Sequence, residues 1–249
     1  MINNFFKKYG YYYIITWCWH IVALFCMFTM DPMLLVAALL VFLILTPLMQ
    51  LISHDYISHE FIKPKNRIYK IMVLTLWYAF GQTVHGKKSF HTWHHKSWQL
   101  PDVDPTQQLL EGKSLFRYVF SLHSPKAQHI PDQDQTKLFD NSVIKWLDQH
   151  AVLTYWGIVA VLLIVLSWPV FVVVRVYVPW FMALTSKFHD WYFHGSGPKK
   201  DSAWLIPIYS HSAWHIEHHS KWQNEYYGPK LWKWVTPSWY FRKIMFDNA

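Results

Sequence analysis

Eight of the 16 histidines in this chain fall into three short clusters: His54-Asp-Tyr-Ile-Ser-His59, His91-Thr-Trp-His94-His95 and His215-Ile-Glu-His218-His219. Imidazole ligates borderline transition metals without bringing a charge of its own. Three clusters supply enough ligands for two metal ions and too many for one. On a helix, residues at i, i+3 and i+4 share a face, so His91, His94 and His95 project together, as do His215, His218 and His219. Sequence neighbours such as His94 and His95 are splayed by about 100°, which lets one pair serve two adjacent metals. The i, i+5 spacing of His54 and His59 does not align on a regular α-helix. It suits the end of a span where one histidine caps each metal. The expectation is an imidazole-rich binuclear centre with no catalytic residues beyond its ligands.

Ligand type alone does not choose among zinc, copper, iron and nickel. A closed structural zinc site often uses cysteine, and none lies near the clusters. Zinc-protease signatures are absent: His59-Glu60 is followed by Lys63 where H-E-x-x-H needs histidine, and His215-Ile-Glu-His218 has its glutamate misplaced for H-x-x-E-H. A bis-histidine haem within the membrane needs histidines inside spans, and only His20 qualifies. Iron is the choice that remains, because many neutral ligands leave a centre able to change oxidation state and bind oxygen. The isolated His20, His123, His129 and His150 read as polar interfacial residues. The Asp102-Val-Asp104-Pro105 turn either anchors hydrogen bonds behind the second cluster or caps and turns the chain. Arg175 is expected to snorkel or to pair within a helical bundle.

The elements that must carry these clusters are strongly apolar. Charged residues make up 15% of the 249 and apolar ones 53%, against about 25% charged in a soluble domain, which points to a membrane. Four segments are apolar enough to span: about 11–30 and 33–52, separated by Asp31-Pro32, and about 151–166 and 169–186, turning at Ser167-Trp168-Pro169. A fifth run, 68–84, is broken by Lys70 and Gly81 and reads as interfacial or half-buried. With both hairpins turning on the far side, every lysine and arginine except Arg175 lies on the near side, which the positive-inside asymmetry makes cytoplasmic. All three histidine clusters fall on that side. The expected fold is therefore an all-α membrane protein. Its four transmembrane helices form two hairpins, and a cytoplasmic helical cap (about 53–150 and 187–249) carries the di-metal site, all in one domain, 1–249. The net charge of +8 follows the membrane segments and calls for no nucleic acid. Cys18 and Cys26 read as small buried hydrophobes. The apolar run after Lys7-Lys8 is as long as a span and lacks a small-residue cleavage site, so no secretory signal is expected.

The order H-x4-H, H-x2-HH, H-x2-HH resembles that of the membrane fatty acyl desaturases. Ser53-His54-Asp55-Tyr56-Ile57-Ser58-His59 is similar to their first box, Phe90-His91-Thr92-Trp93-His94-His95 to the second with its following Asp-Pro turn, and Trp214-His215-Ile216-Glu217-His218-His219 to the third. The resemblance covers about residues 30–220. It implies a non-haem, oxygen-dependent enzyme in which His54, His59, His91, His94, His95, His215, His218 and His219 hold two iron ions. A further ligand in that family often comes from the segment after span four, where an asparagine is common. Here Thr185 stands near that point, and His189 is the candidate ninth ligand, with His194 and His211 behind it. After the third box, Ser220-Lys221-Trp222 departs from the family's more apolar continuation. The resemblance further implies a fatty acyl substrate, a bacterial inner membrane or equivalent endomembrane, and an external electron donor of ferredoxin, rubredoxin or cytochrome b5 type. Near-side lysines could dock such an acidic carrier.

Two alternatives stay open. A carotenoid, alkane or sterol hydroxylase or ketolase would use the same scaffold, and His211-x3-His215-x2-His218-His219 is similar to the last box of carotenoid ketolases, although their first box is usually H-x3-H. A non-enzymatic metal-binding or transport protein would favour ionisable groups along the spans, and this chain places almost none there.

Overall fold

The computed structural model describes residues 11–98, 100, 103–110, 112–120, 141–195, 197–221, 228 and 236–249, with the side chains of 11–17 and 105 excepted. The expectations attached to Lys7, Lys8, Asp102, His123, His129 and Trp222 lie outside the described residues, as does 121–140 of the expected cap. The described chain is mostly helical. In order it contains α1 (Tyr11–Thr29), α2 (Met33–Gln50) continuing as a π-helical segment (Leu51–Ser58), β1 (Ile62–Pro64), α3 (Arg67–Ala79), α4 (Val84–Ser97), α5 (Pro105–Leu110) and α6 (Leu115–Val119). Then come α7 (Ser142–Gln149), α8 (Ala151–Val165), α9 (Trp168–Phe171) with a second π segment (Val172–Tyr177), and α10 (Val178–His194). The last elements are a 3-10 turn (Ala203–Leu205), α11 (Ile206–Tyr209), a second 3-10 turn (Ser210–Trp214), α12 (His215–Ser220), α13 (Pro237–Met245) and β2 (Phe246–Asn248).

Two helices among the described residues are long and apolar enough to cross a membrane, Met33–Ser58 and Trp168–His194. They contain the expected second and fourth spans and overrun both. Each continues through a π segment, so His54 lies within the first of them and His189 within the second. The expected third span is the 15-residue α8, too short to cross on its own by the usual length of about 20 residues. It joins α7 across an 84° bend, and the pair passes as a span only if counted together. The expected first span is α1, whose apolar described part is Cys18–Thr29. The fifth run forms α3 and stops where Gly81 takes a φ of 75° against the Tyr155 ring, a conformation open to glycine. The all-α expectation is amended by a small antiparallel pair, β1 on β2, with Ile62 opposite Asn248 and Pro64 opposite Phe246.

The chain divides into two compact units. The first comprises the described residues within 1–42, 99–129 and 159–199. Here α10 packs on α1, α5 and α6, with Leu109, Leu110 and Tyr118 buried beside Trp191. Asp31 ends the α1–α2 turn by accepting from Met33 N–H (2.8 Å). Arg175, buried in its π segment, lays its guanidinium 5.2 Å from the Trp19 ring centroid, a cation–π pairing that answers the expectation of a partner within the bundle. Lys187 donates to the Val119 carbonyl at the end of α6 (2.6 Å), and Tyr118 donates to Asp190 (3.0 Å). Asp104 accepts from Thr106 N–H (2.8 Å) and so caps α5, the turn-forming alternative for that residue. His20 is 3% exposed beside Phe120, so the interfacial reading is corrected to a buried one. Cys26 is buried but Cys18 is exposed.

The second unit comprises the described residues within 43–98, 130–158 and 200–249. Its core joins Leu51, Ile52, Tyr56 and Ile57 of the first π segment to Trp77 and Tyr78 of α3, Val84 of α4, Ile144 of α7, and Met245 and Phe246 at the C-terminus. All three histidine boxes lie in this unit.

Candidate metal centre

The first box sits in a π helix, and this corrects the expectation that its two histidines would part. In a π helix the hydrogen bond runs from i to i+5; here His59 N–H donates to the His54 carbonyl at 2.9 Å. The same repeat stacks the two side chains on one face, with ring centroids 4.5 Å apart. The second box lies on α4, which packs along this π segment. Lys88, buried between them, donates to the Ser58 carbonyl (2.5 Å) and pairs with Glu60 (3.2 Å). The third box is α12.

Both helices carrying a double histidine start on a carboxylate from elsewhere in the unit. Asp148 accepts from Val84 N–H (2.9 Å), His85 N–H (2.7 Å) and the Tyr78 hydroxyl (2.5 Å), while Thr83 caps Gly86 N–H (3.1 Å). Asp201 accepts from Ile216 N–H (2.8 Å) and Glu217 N–H (3.0 Å) at the head of α12. Its carboxyl is raised above the usual range, chiefly by burial. Each carboxylate satisfies first-turn donors and complements the positive end of the helix. Glu217 in turn accepts from Gly228 N–H (2.8 Å), a residue at φ 83° where a Cβ would strike the Trp214 ring. Asp148→Ala is expected to destabilise the protein by about 2 kcal/mol, since it orphans two backbone donors and a hydroxyl together. Thermal unfolding in detergent reads this, and a melting temperature equal to that of the parent refutes it.

The eight box histidines converge into two adjoining groups. The first is His54, His59, His91, His95 and His218, whose ligand nitrogens all lie within 4.8 Å of one another. Four Nε2 atoms form a closed ring with edges of 3.1 Å (His218–His59), 2.9 Å (His59–His91), 3.0 Å (His91–His95) and 3.1 Å (His95–His218). His54 Nε2 stands 3.0 Å from that of His218. In the second group, His94 and His215 Nε2 lie 3.2 and 2.9 Å from that of His219. Sequence neighbours divide as their angular offset requires: His95 and His218 enter the first group, His94 and His219 the second. The groups adjoin through the His95 and His219 rings, 4.5 Å apart. Phe61 stacks on His59 at 4.8 Å, and Trp98 covers His219 at 4.0 Å. His218 is fully buried.

Hydrogen bonding does not explain this convergence. A ring nitrogen offers either one N–H or one lone pair, yet His218 Nε2 faces those of His54, His59 and His95 at once. A metal does explain it. Ligand nitrogens at about 2.1 Å from an ion, and at right angles to one another, are separated by about 3.0 Å, which matches the edges of the ring. The residues therefore fit a metal ion. The protonation states agree, because a ligating imidazole must be neutral. Burial, reinforced by neighbouring histidines, lowers the pKa of His59 and His91 well below the ordinary value. It lowers His95 to about 3 and His218 to about 2.

Asp55 is the site residue that sequence reasoning passed over. It is 3% exposed, and its Oδ1 lies 2.7 Å from His54 Nδ1 and 3.2 Å from His211 Nε2. The available signal was a lone carboxylate at the end of an apolar span, beside a ligand. His211 accordingly sits behind His54, with its other nitrogen 3.1 Å from Ser238 Oγ. His189 and His194 belong to the first unit, where His189 rests on Phe193 (4.7 Å) with Nδ1 3.7 Å from Asp190 Oδ1. Thr185 directs its hydroxyl to the Phe181 carbonyl of its own helix (2.8 Å). Comparison of the chain with family models, curated proteins and solved structures found no match.

Proposed function

We propose that this protein is an oxygen-dependent oxidoreductase that desaturates a fatty acyl chain at a histidine-ligated di-iron centre. The observation that carries the reading is the pair of adjoining, buried imidazole groups in a chain with two helices apolar enough to cross a membrane. His54, His59, His91, His95 and His218 would hold one iron, and His94, His215 and His219 take part in holding the other. The bound irons would supply oxygen activation, which removal of hydrogen from an unactivated methylene pair requires and which no side-chain acid or base provides. The chain's own residues do the rest. Burial keeps the imidazoles neutral, Asp55 orients His54, Phe61 and Trp98 shield the ligand rings from water, and the capped starts of α4 and α12 hold the double histidines in place. Electrons come from a separate donor of ferredoxin, rubredoxin or cytochrome b5 type, and the site faces the cytoplasm.

The test is expression in a host that makes both saturated acyl lipids and carotenoids, with both pools profiled. New unsaturated acyl chains are expected. Oxygenated carotenoids beside unchanged acyl chains would replace this reading with the hydroxylase or ketolase one.

A further inference from the structure

With Asp55 a carboxylate and both imidazoles neutral, the hydrogen bonds behind His54 run in one consistent direction. Asp55 as a carboxylate is an acceptor only. His54 therefore donates from Nδ1 (2.7 Å) and His211 from Nε2 (3.2 Å), both to Asp55 Oδ1. With its proton on Nε2, His211 accepts at Nδ1 from the Ser238 hydroxyl (3.1 Å). Ser238 Oγ then accepts from the Ser210 hydroxyl (2.5 Å), and Ser210 Oγ accepts from Ser238 N–H (3.3 Å). The chain thus runs from the start of α13 through the 3-10 turn to the first box. Ser210, which takes a φ of 53°, is completely buried and Ser238 nearly so. A non-glycine residue held at positive φ is costly and persists where its surroundings demand it.

We infer that Asp55 and His211, supported by Ser238 and Ser210, form a positioning relay that locks His54 in the tautomer presenting Nε2 to the first metal group, and that His211 is not itself a metal ligand. The inference rests on the di-metal reading of the two groups and adds a division of labour among histidines that spacing does not distinguish. The carboxylate also makes the His54 ring a stronger donor to a cation, as a carboxylate behind a ligating imidazole does. Because His54 joins the five-histidine group and not that of His94, His215 and His219, the relay acts on one of two adjoining sites.

Titration of the chelated full-length protein in detergent with Co(II), followed by its visible absorption, resolves this. The parent is expected to take up two ions. Asp55→Ala and His211→Ala are expected to weaken one binding phase by about 10–100-fold and leave the other in place, whereas a general loss of structure would move both. His211→Gln donates and accepts at nearly the same points and is expected to recover most of the lost affinity; Ser238→Ala leaves Asp55 and His211 in place and should weaken the same phase. Equal affinities in all variants would overturn the relay while leaving the di-metal reading intact. Loss of one ion from His211→Gln would make His211 a ligand and overturn it too. A parent that binds no cobalt would overturn both.

Discussion

His218→Ala is expected to abolish turnover and release the metal of the first group, while the protein still fractionates with membranes. His218 Nε2 stands 3.0–3.1 Å from those of His54, His59 and His95, so its removal opens the ring and takes away the atom that His54 faces. Loss of a partner behind a ligating histidine typically costs about 10–100-fold, so loss of the ligand itself should exceed 100-fold. His94→Ala is the matching test of the second group and should spare metal at the first. The two helices long and apolar enough to cross a membrane are Met33–Ser58 and Trp168–His194, and neither residue lies in them. Product formation measured per unit of membrane-inserted protein gives the answer. Turnover within a few-fold of the parent in either variant would remove that residue from the centre.

Chelation should produce the largest change in stability. Without metal, the unit's interior crowds imidazole nitrogens about 3 Å apart, with His218 Nε2 facing three others at once, an arrangement that a bound ion would stabilise. A ligand that binds only the folded state at 1,000 times its dissociation constant adds about 4 kcal/mol. For a chain of this size that corresponds to a melting temperature lower by on the order of 10 °C after chelation. Fe(II) or Co(II) should restore it, and Mg(II), which prefers oxygen ligands, should not. An unchanged melting temperature under chelation would mean that the histidine groups are self-sufficient and hold no ion in the native protein.

Much of the site was legible because its signal is local. The i, i+3, i+4 spacing of His91, His94 and His95, and of His215, His218 and His219, depends only on helical periodicity. The same periodicity assigns His94 and His95 to different groups. Apolar runs similarly announced α2, α8 and the helix ending at His194, and the turn at Asp31-Pro32 was marked by its own residues. The misreading of the first box originates in a change of helical repeat. His54 and His59 looked mismatched because an α-helical period was assumed, and the π turn of Leu51–Ser58 brings them onto one face. The π segment Leu51–Ser58 also carries its apolar helix beyond the expected end at 52, while Val172–Tyr177 lies inside the other; Pro47 stands shortly before the first and Pro179 shortly after the second. Proline interrupts the i→i−4 ladder, and its effect on the repeat several residues away is not marked by composition.

The sequence by itself determined that imidazoles would be abundant, patterned for two groups and carried by an apolar chain, because those properties reside in residue type and spacing. Only the tertiary structure decided which histidine stands in which group, that His211 backs His54 through Asp55, and that Asp148 and Asp201 cap the helices bearing the double histidines. Those relations join residues distant in sequence. They are set by packing and by the need to satisfy every buried donor, neither of which a local pattern encodes.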